Sequence, residues 1–241
     1  MTYPFMKERK YPAWYFTDAN FLFPLVANNA SALELIEPGS KESVIVAIGY
    51  KIRDAAYWAD FRTRDLTPVN HPPTDSLINK RLAQMTGRNF NVKSGSSAKF
   101  LDFIEKELIP FIESNYRVIP GNRYLGGYSY GGLFALYTMF TKPELFTKYL
   151  AGSPSIDFAD GALYEFERKY SSTHKDLNIK LFMSAGALET TIAKHMKQMT
   201  DTIKMRNYPS LSIETIIFPE ENHATCVPSA LMRGYVTLNK K

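Results

Sequence analysis

Apolar runs short enough for strands alternate with longer amphipathic runs along almost the whole 241-residue chain, and that rhythm admits few folds. Tyr11 to Thr17, Ser43 to Ile48, Tyr124-Leu125, Tyr149 to Gly152, Leu177 to Ala185 and Leu211 to Phe218 read as strands. The second of these, Ser-Val-Ile-Val-Ala-Ile, is continuous and β-branched, as in a strand covered on both faces. Phe21 to Leu35, Leu133 to Phe140, Gly161 to Tyr170, Thr190 to Arg206 and Val227 to Leu238 read as helices. So does the stretch from Ser96 or Ser97 to Asn115, where Phe100, Phe103, Ile104, Leu108, Phe111 and Ile112 form one stripe. Such alternation predicts an α/β protein, a mostly parallel sheet of about six strands flanked by helices. No repeat or linker interrupts it, so residues 1–241 are expected to be one domain.

Residues 50–95 break the rhythm. The segment holds Pro68 and Asn70-His71-Pro72-Pro73 and shows little periodicity, so it reads as a lid or substrate-binding loop. It also carries Lys51, Arg53, Arg62, Arg64, Lys80, Arg81, Arg88 and Lys93 against four aspartates, most of the chain's net charge of +5. That surplus reads either as a solvated surface or as an electropositive rim attracting an anionic substrate.

Composition excludes several classes. The single cysteine, Cys226, rules out an internal disulfide and a CxxC metal site. No apolar run is long enough to span a bilayer, and +5 is too mild to imply nucleic acid. No apolar leader follows the charged N-terminus, so the chain as given reads as cytoplasmic, or as periplasmic or secreted if a segment precedes it. Metal-ligand spacing and a phosphate-cradling glycine loop are absent, so no cofactor is expected and water is the second substrate.

Gly127-Tyr128-Ser129-Tyr130-Gly131 fits G-x-S-x-G, a serine held on a sharp turn between strand and helix. Three fixed positions are weak evidence alone, but a strand before and a helix after supply the required context. A serine hydroxyl is a poor nucleophile until an imidazole takes its proton, and the imidazole needs a carboxylate to fix its tautomer. Of four histidines, only His223 follows the last strand in a polar turn; His195 shares an apolar helix face, His71 sits in the basic loop beside two prolines, and His174 lies in a surface stretch. Glu189, three residues past Gly186, is the expected acid, with Asp157 and Asp160 as competitors. The order Ser, acid, His is that of the α/β-hydrolases. The oxyanion would be met by the backbone N–H of Tyr130 and by the loop after the first strand, at Asn20. Arg64, Tyr50 and Tyr128 are the expected substrate contacts.

At these residues the sequence resembles the esterase D, or "putative esterase", family of α/β-hydrolases, in the branch of trilactone siderophore esterases of the enterobactin type. The motifs are Tyr11-Pro12 leading to Asp18-Ala19-Asn20, Arg64-Asp65-Leu66-Thr67-Pro68, Phe100 to Tyr116 followed by the elbow, and Gly186-Ala187-Leu188-Glu189 with Glu221-Asn222-His223. The resemblance implies ester hydrolysis through an acyl-serine intermediate, with a siderophore-type lactone or other anionic ester as small-molecule substrate. Relative to that pattern, N-terminal edge strands are missing here, which would expose a sheet edge for a homodimer. Ala19 stands where the family carries glycine. The same triad would also serve a carbohydrate acyl esterase, a thioesterase or an acyltransferase, and a hydrolase-like binding domain without turnover is the alternative from another class.

Overall fold

The computed structural model describes residues 8–36, 42–51 and 54–239. Its strands are β1 (Tyr11–Phe16), β2 (Val44–Ala47), β3 (Val118–Tyr128), β4 (Lys148–Gly152), β5 (Lys180–Gly186) and β6 (Ser212–Phe218). They form one sheet in the order β2-β1-β3-β4-β5-β6, and every pairing is parallel. The α/β expectation is met.

The helices are α1 (Ala19–Ile36), α2 (Ala55–Leu66), α3 (Pro72–Thr86), α4 (Ser97–Phe103), α5 (Ile109–Asn115), α6 (Tyr130–Thr141), α7 (Phe158–Gly161), α8 (Leu163–Thr173), α9 (Thr190–Met205) and α10 (Cys226–Asn239). Successive β1 side chains go to opposite faces of the sheet. Ala13 and Tyr15 join the larger core with Leu133 and Phe134 of α6 and Met196 and Met199 of α9. Trp14 and Phe16 join a second core with Leu22 and Val26 of α1 and Ala230 and Leu231 of α10. Both faces are therefore covered, which parallel strands require.

Two expectations need correction. Residues 50–95 are largely helical, built from α2 and α3. Their periodicity escapes a reading of apolar residues because α2 buries polar groups, Arg62, Thr63 and Asp65, beside Ala56 and Leu66. The helix ends are conventional: the Asp54 carboxylate accepts from the N–H groups of Ala56 and Tyr57, and Gly87, at φ 69°, closes α3. The expected helix from Ser96 or Ser97 to Asn115 is instead interrupted by a π-helical turn, Ile104–Leu108, just ahead of Pro110. The turn shifts the register, so Ile104, Ile109 and Ile112 are buried while Phe103 and Phe111 are exposed.

Candidate active site

The elbow forms because β3 runs straight into α6 with no room for a loop. Ser129 takes φ 59° and ψ −117°, a strained conformation for a residue with a side chain. A Cβ on Gly127 would lie 2.4 Å from the backbone of Gly131, and one on Gly131 would lie 2.4 Å from Thr17 Oγ1. A side chain at Gly127 is barred by backbone, and one at Gly131 by the Thr17 side chain. The Ser129 N–H is tied to the Gly152 carbonyl at 2.9 Å, which anchors the turn to β4. Tyr130 opens α6, so its N–H has no carbonyl one turn back within the helix to bond.

Glu189 lies in the turn after β5 and His223 in the turn after β6. His223 Nδ1 lies 2.5 Å from Glu189 Oε1. A carboxylate only accepts, so this contact puts the proton on Nδ1 and leaves Nε2 as the basic nitrogen. The other oxygen, Oε2, accepts from Gly186 N at 2.6 Å and from Ser153 Oγ at 2.8 Å. Burial pushes the Glu189 carboxyl up, but these bonds outweigh it and hold the group below its ordinary value. The carboxylate is thus ionised and held rigidly. Tyr128 adds a further brace, its hydroxyl donating to the His223 carbonyl at 2.8 Å. The competing acids, Asp157 and Asp160, lie elsewhere in the cleft, Asp160 with its side chain fully exposed.

Ser129 and His223 line the same two recesses. The Ser129 hydroxyl lies 3.4 Å from Ser155 Oγ and is turned toward that residue rather than bonded to the imidazole. Tyr128 lines one of the recesses and Tyr130 the other.

Other expected residues fall differently. The Asn20 side chain clasps the Tyr50 backbone, donating to the carbonyl and accepting from the N–H, each at 2.9 Å. It lines a separate recess with Ala19, Ala47 and Gly49. The nearby left-handed residue is Asp18, at φ 55°, while Ala19 begins α1, so the alanine at the family's glycine position costs no backbone strain. Tyr50 has its ring against Phe61 and lines neither recess beside Ser129. Arg64 is paired with Asp65 at 2.7 and 2.9 Å and also lies outside both.

The arginine that does enter the cleft is Arg62, which lines both recesses. Two residues along a helix is a turn of about 200°, so only one of the pair can face Ser129. Arg62 Nε and Nη2 grip the Asp18 carboxylate at 2.9 and 2.8 Å, and the guanidinium lies over the rings of Trp58 and Tyr130. The sequence reading missed this arginine. Its signal was an Asp at the end of the first strand with no assigned partner.

A family model described as "Putative esterase" matches residues 2–209. The chain belongs to this family. The putative esterases it resembles include the siderophore enterobactin esterase of Emericella nidulans, 36% identical over 162 residues, which are 66% of this chain and 51% of the relative. Another is the ferri-bacillibactin esterase BesA of Bacillus subtilis, 29% identical over 233 residues, 93% of this chain and 77% of that one. The chain thus spans about half the length of the first relative and about three quarters of the second. Among solved structures, the siderophore hydrolase EstA from Aspergillus nidulans superposes with a TM-score of 0.81 at 26% identity, covering 97% of this chain and 84% of that one. The BES protein from Bacillus cereus gives 0.80 at 27% identity, covering 96% and 84%.

Proposed function

We propose that this putative esterase is a serine esterase working through an acyl-serine intermediate on a siderophore-type ester. The observation that carries the reading is the 2.5 Å contact between His223 Nδ1 and Glu189, made by a histidine that shares both its recesses with Ser129. For attack, the Ser129 hydroxyl turns from Ser155 to His223 Nε2 and yields its proton there as Oγ bonds the ester carbon. The developing oxyanion is met by the Tyr130 N–H and by N–H groups of Arg62 that Asp18 does not engage. The C–O bond to the leaving alkoxide then breaks, and His223 delivers the proton to it. Water repeats the sequence from the other side and frees Ser129.

The likeness to the siderophore hydrolase EstA, the ferri-bacillibactin esterase BesA and the siderophore enterobactin esterase supports a siderophore ester as substrate. The expected anionic character of that ester has weaker support, because Arg62, Arg64 and Arg88 each hold a carboxylate, and Arg53 lies outside the described residues. A fluorophosphonate probe tests the mechanism: the reading requires one adduct, on Ser129, lost in Ser129→Ala. A panel of trilactone siderophores beside nitrophenyl esters tests the substrate. Folded protein that takes no label would overturn the proposal and leave a hydrolase-like binding domain.

A further inference from the structure

The two recesses that meet at Ser129 and His223 differ in kind. The larger, of about 560 Å³, is walled by Phe21, Leu25, Trp58, Val227 and Pro228. The smaller, of about 440 Å³, is lined by Asp157 and Asp160 with His71, Thr74 and Tyr130, beside apolar Leu77, Phe158 and Ile192. Asp157 lies two residues beyond Ser155, whose hydroxyl touches that of Ser129, so this acidic wall begins at the nucleophile.

Cations do little to offset it. The one guanidinium in either recess, Arg62, is already matched by the bidentate Asp18 pair. His71 Nε2 stands 3.9 Å from Asp160 Oδ2, its Nδ1 bonds Thr74, and a protonated ring would neutralise at most one of the two carboxylates. The lysines and arginines that make residues 50–95 basic in sequence are absent from the lining apart from Arg62. The chain is cationic overall, yet the smaller recess holds two aspartates.

We propose that the cleft is built for a two-sided ester: an apolar group against Trp58 and Val227 on one side of the scissile bond, and a positively charged group facing Asp157 and Asp160 on the other. This rests on the hydrolase reading and narrows it. Both carboxylates are solvent-exposed, so each acts through screened Coulomb attraction, which discriminates by about three- to tenfold at low salt and fades as salt rises.

Four butyrate esters test it. 4-Nitrophenyl butyrate establishes that turnover occurs at all. Butyrylcholine and 3,3-dimethylbutyl butyrate have the same shape and differ only in nitrogen cation against neutral carbon, while 2-sulfoethyl butyrate carries an anion at the same distance. The expected order of kcat/KM is cationic above neutral above anionic, with the cation-to-anion ratio shrinking at 0.5 M salt and collapsing toward one in the Asp157→Asn/Asp160→Asn double variant. Equal rates for the three alkyl esters, an anionic preference, or a ratio unmoved by the double variant overturns the charge assignment while the hydrolase reading stands. Failure on all four esters by protein that still takes the fluorophosphonate label on Ser129 overturns this inference alone, whereas failure without a label overturns the hydrolase reading, and this inference with it.

Discussion

Ser153 Oγ donates to Glu189 Oε2 at 2.8 Å, so a serine at the end of β4 holds the carboxylate that orients His223. Ser153 is fully buried and left-handed at φ 37°, a strained backbone kept where it serves the acid. Its removal leaves Gly186 N as the remaining donor to that oxygen. Ser153→Ala is expected to cut kcat by about three- to tenfold with little change in KM, since a hydrogen bond to a charged group contributes about 1.5–3 kcal/mol and only part of it is felt at the imidazole. An unchanged kcat would remove Ser153 from the support of the acid.

Glu189→Gln keeps the shape and removes the charge that fixes the His223 tautomer. Activity is expected to fall by about a thousandfold or more, as loss of a triad acid does elsewhere. Stability should follow pH in a definite sense. A carboxyl held below its unfolded value near 4.5 stabilises the fold fully above that pH, and the contribution disappears as pH falls through the unfolded value to the folded one. The difference in Tm between wild type and Glu189→Gln should therefore be constant at neutral pH and shrink below about pH 4.5. A difference that grows on acidification would contradict the depressed pKa.

The sheet and the candidate site were legible in sequence for different reasons. Strands covered on both faces announce themselves as apolar runs, and the elbow announces itself because Gly127 and Gly131 are sterically compelled. Glu189 and His223 were found by position after β5 and β6. What could not be read was partnership between distant side chains. Arg62 and Arg64 are equivalent as letters, and only the phase of α2 decides which one meets Asp18 and which meets its neighbour Asp65. The charge of residues 50–95 is hard to read for a related reason, because composition counts cations without recording that some, such as Arg62, Arg64 and Arg88, already hold carboxylates.

The Arg62–Asp18 pair sits with both side chains nearly out of solvent. Removing one partner leaves a charge buried alone, which costs about 3–5 kcal/mol, whereas removing both leaves neither. Arg62→Met and Asp18→Asn should each lower stability by that order, and the double variant should recover a substantial part. Denaturant titrations of the four proteins measure this, and additive losses would mean the two residues act independently. Activity should stay low in the double variant if Arg62 also meets the oxyanion.

The two elbow glycines are predicted to fail in different ways. A Cβ on Gly127 would meet the backbone carbonyl of Gly131, which cannot move without dismantling the turn. Gly127→Ala should therefore cost several kcal/mol, on the order of 3 or more, and no nearby side-chain change should repair it. A Cβ on Gly131 meets Thr17 Oγ1 at 2.4 Å, and that hydroxyl is buried with no hydrogen-bond partner among the described residues. Trimming it forfeits no bond. Thr17→Ala should thus be mild alone and should restore much of the stability lost in Gly131→Ala, giving a coupling of about 1–2 kcal/mol in the cycle. The next atom on that side, Asp18 Oδ2 at 3.3 Å, keeps the rescue incomplete. If Gly131→Ala is as damaging with Thr17→Ala as without it, the obstruction lies in the backbone of the elbow rather than in the threonine.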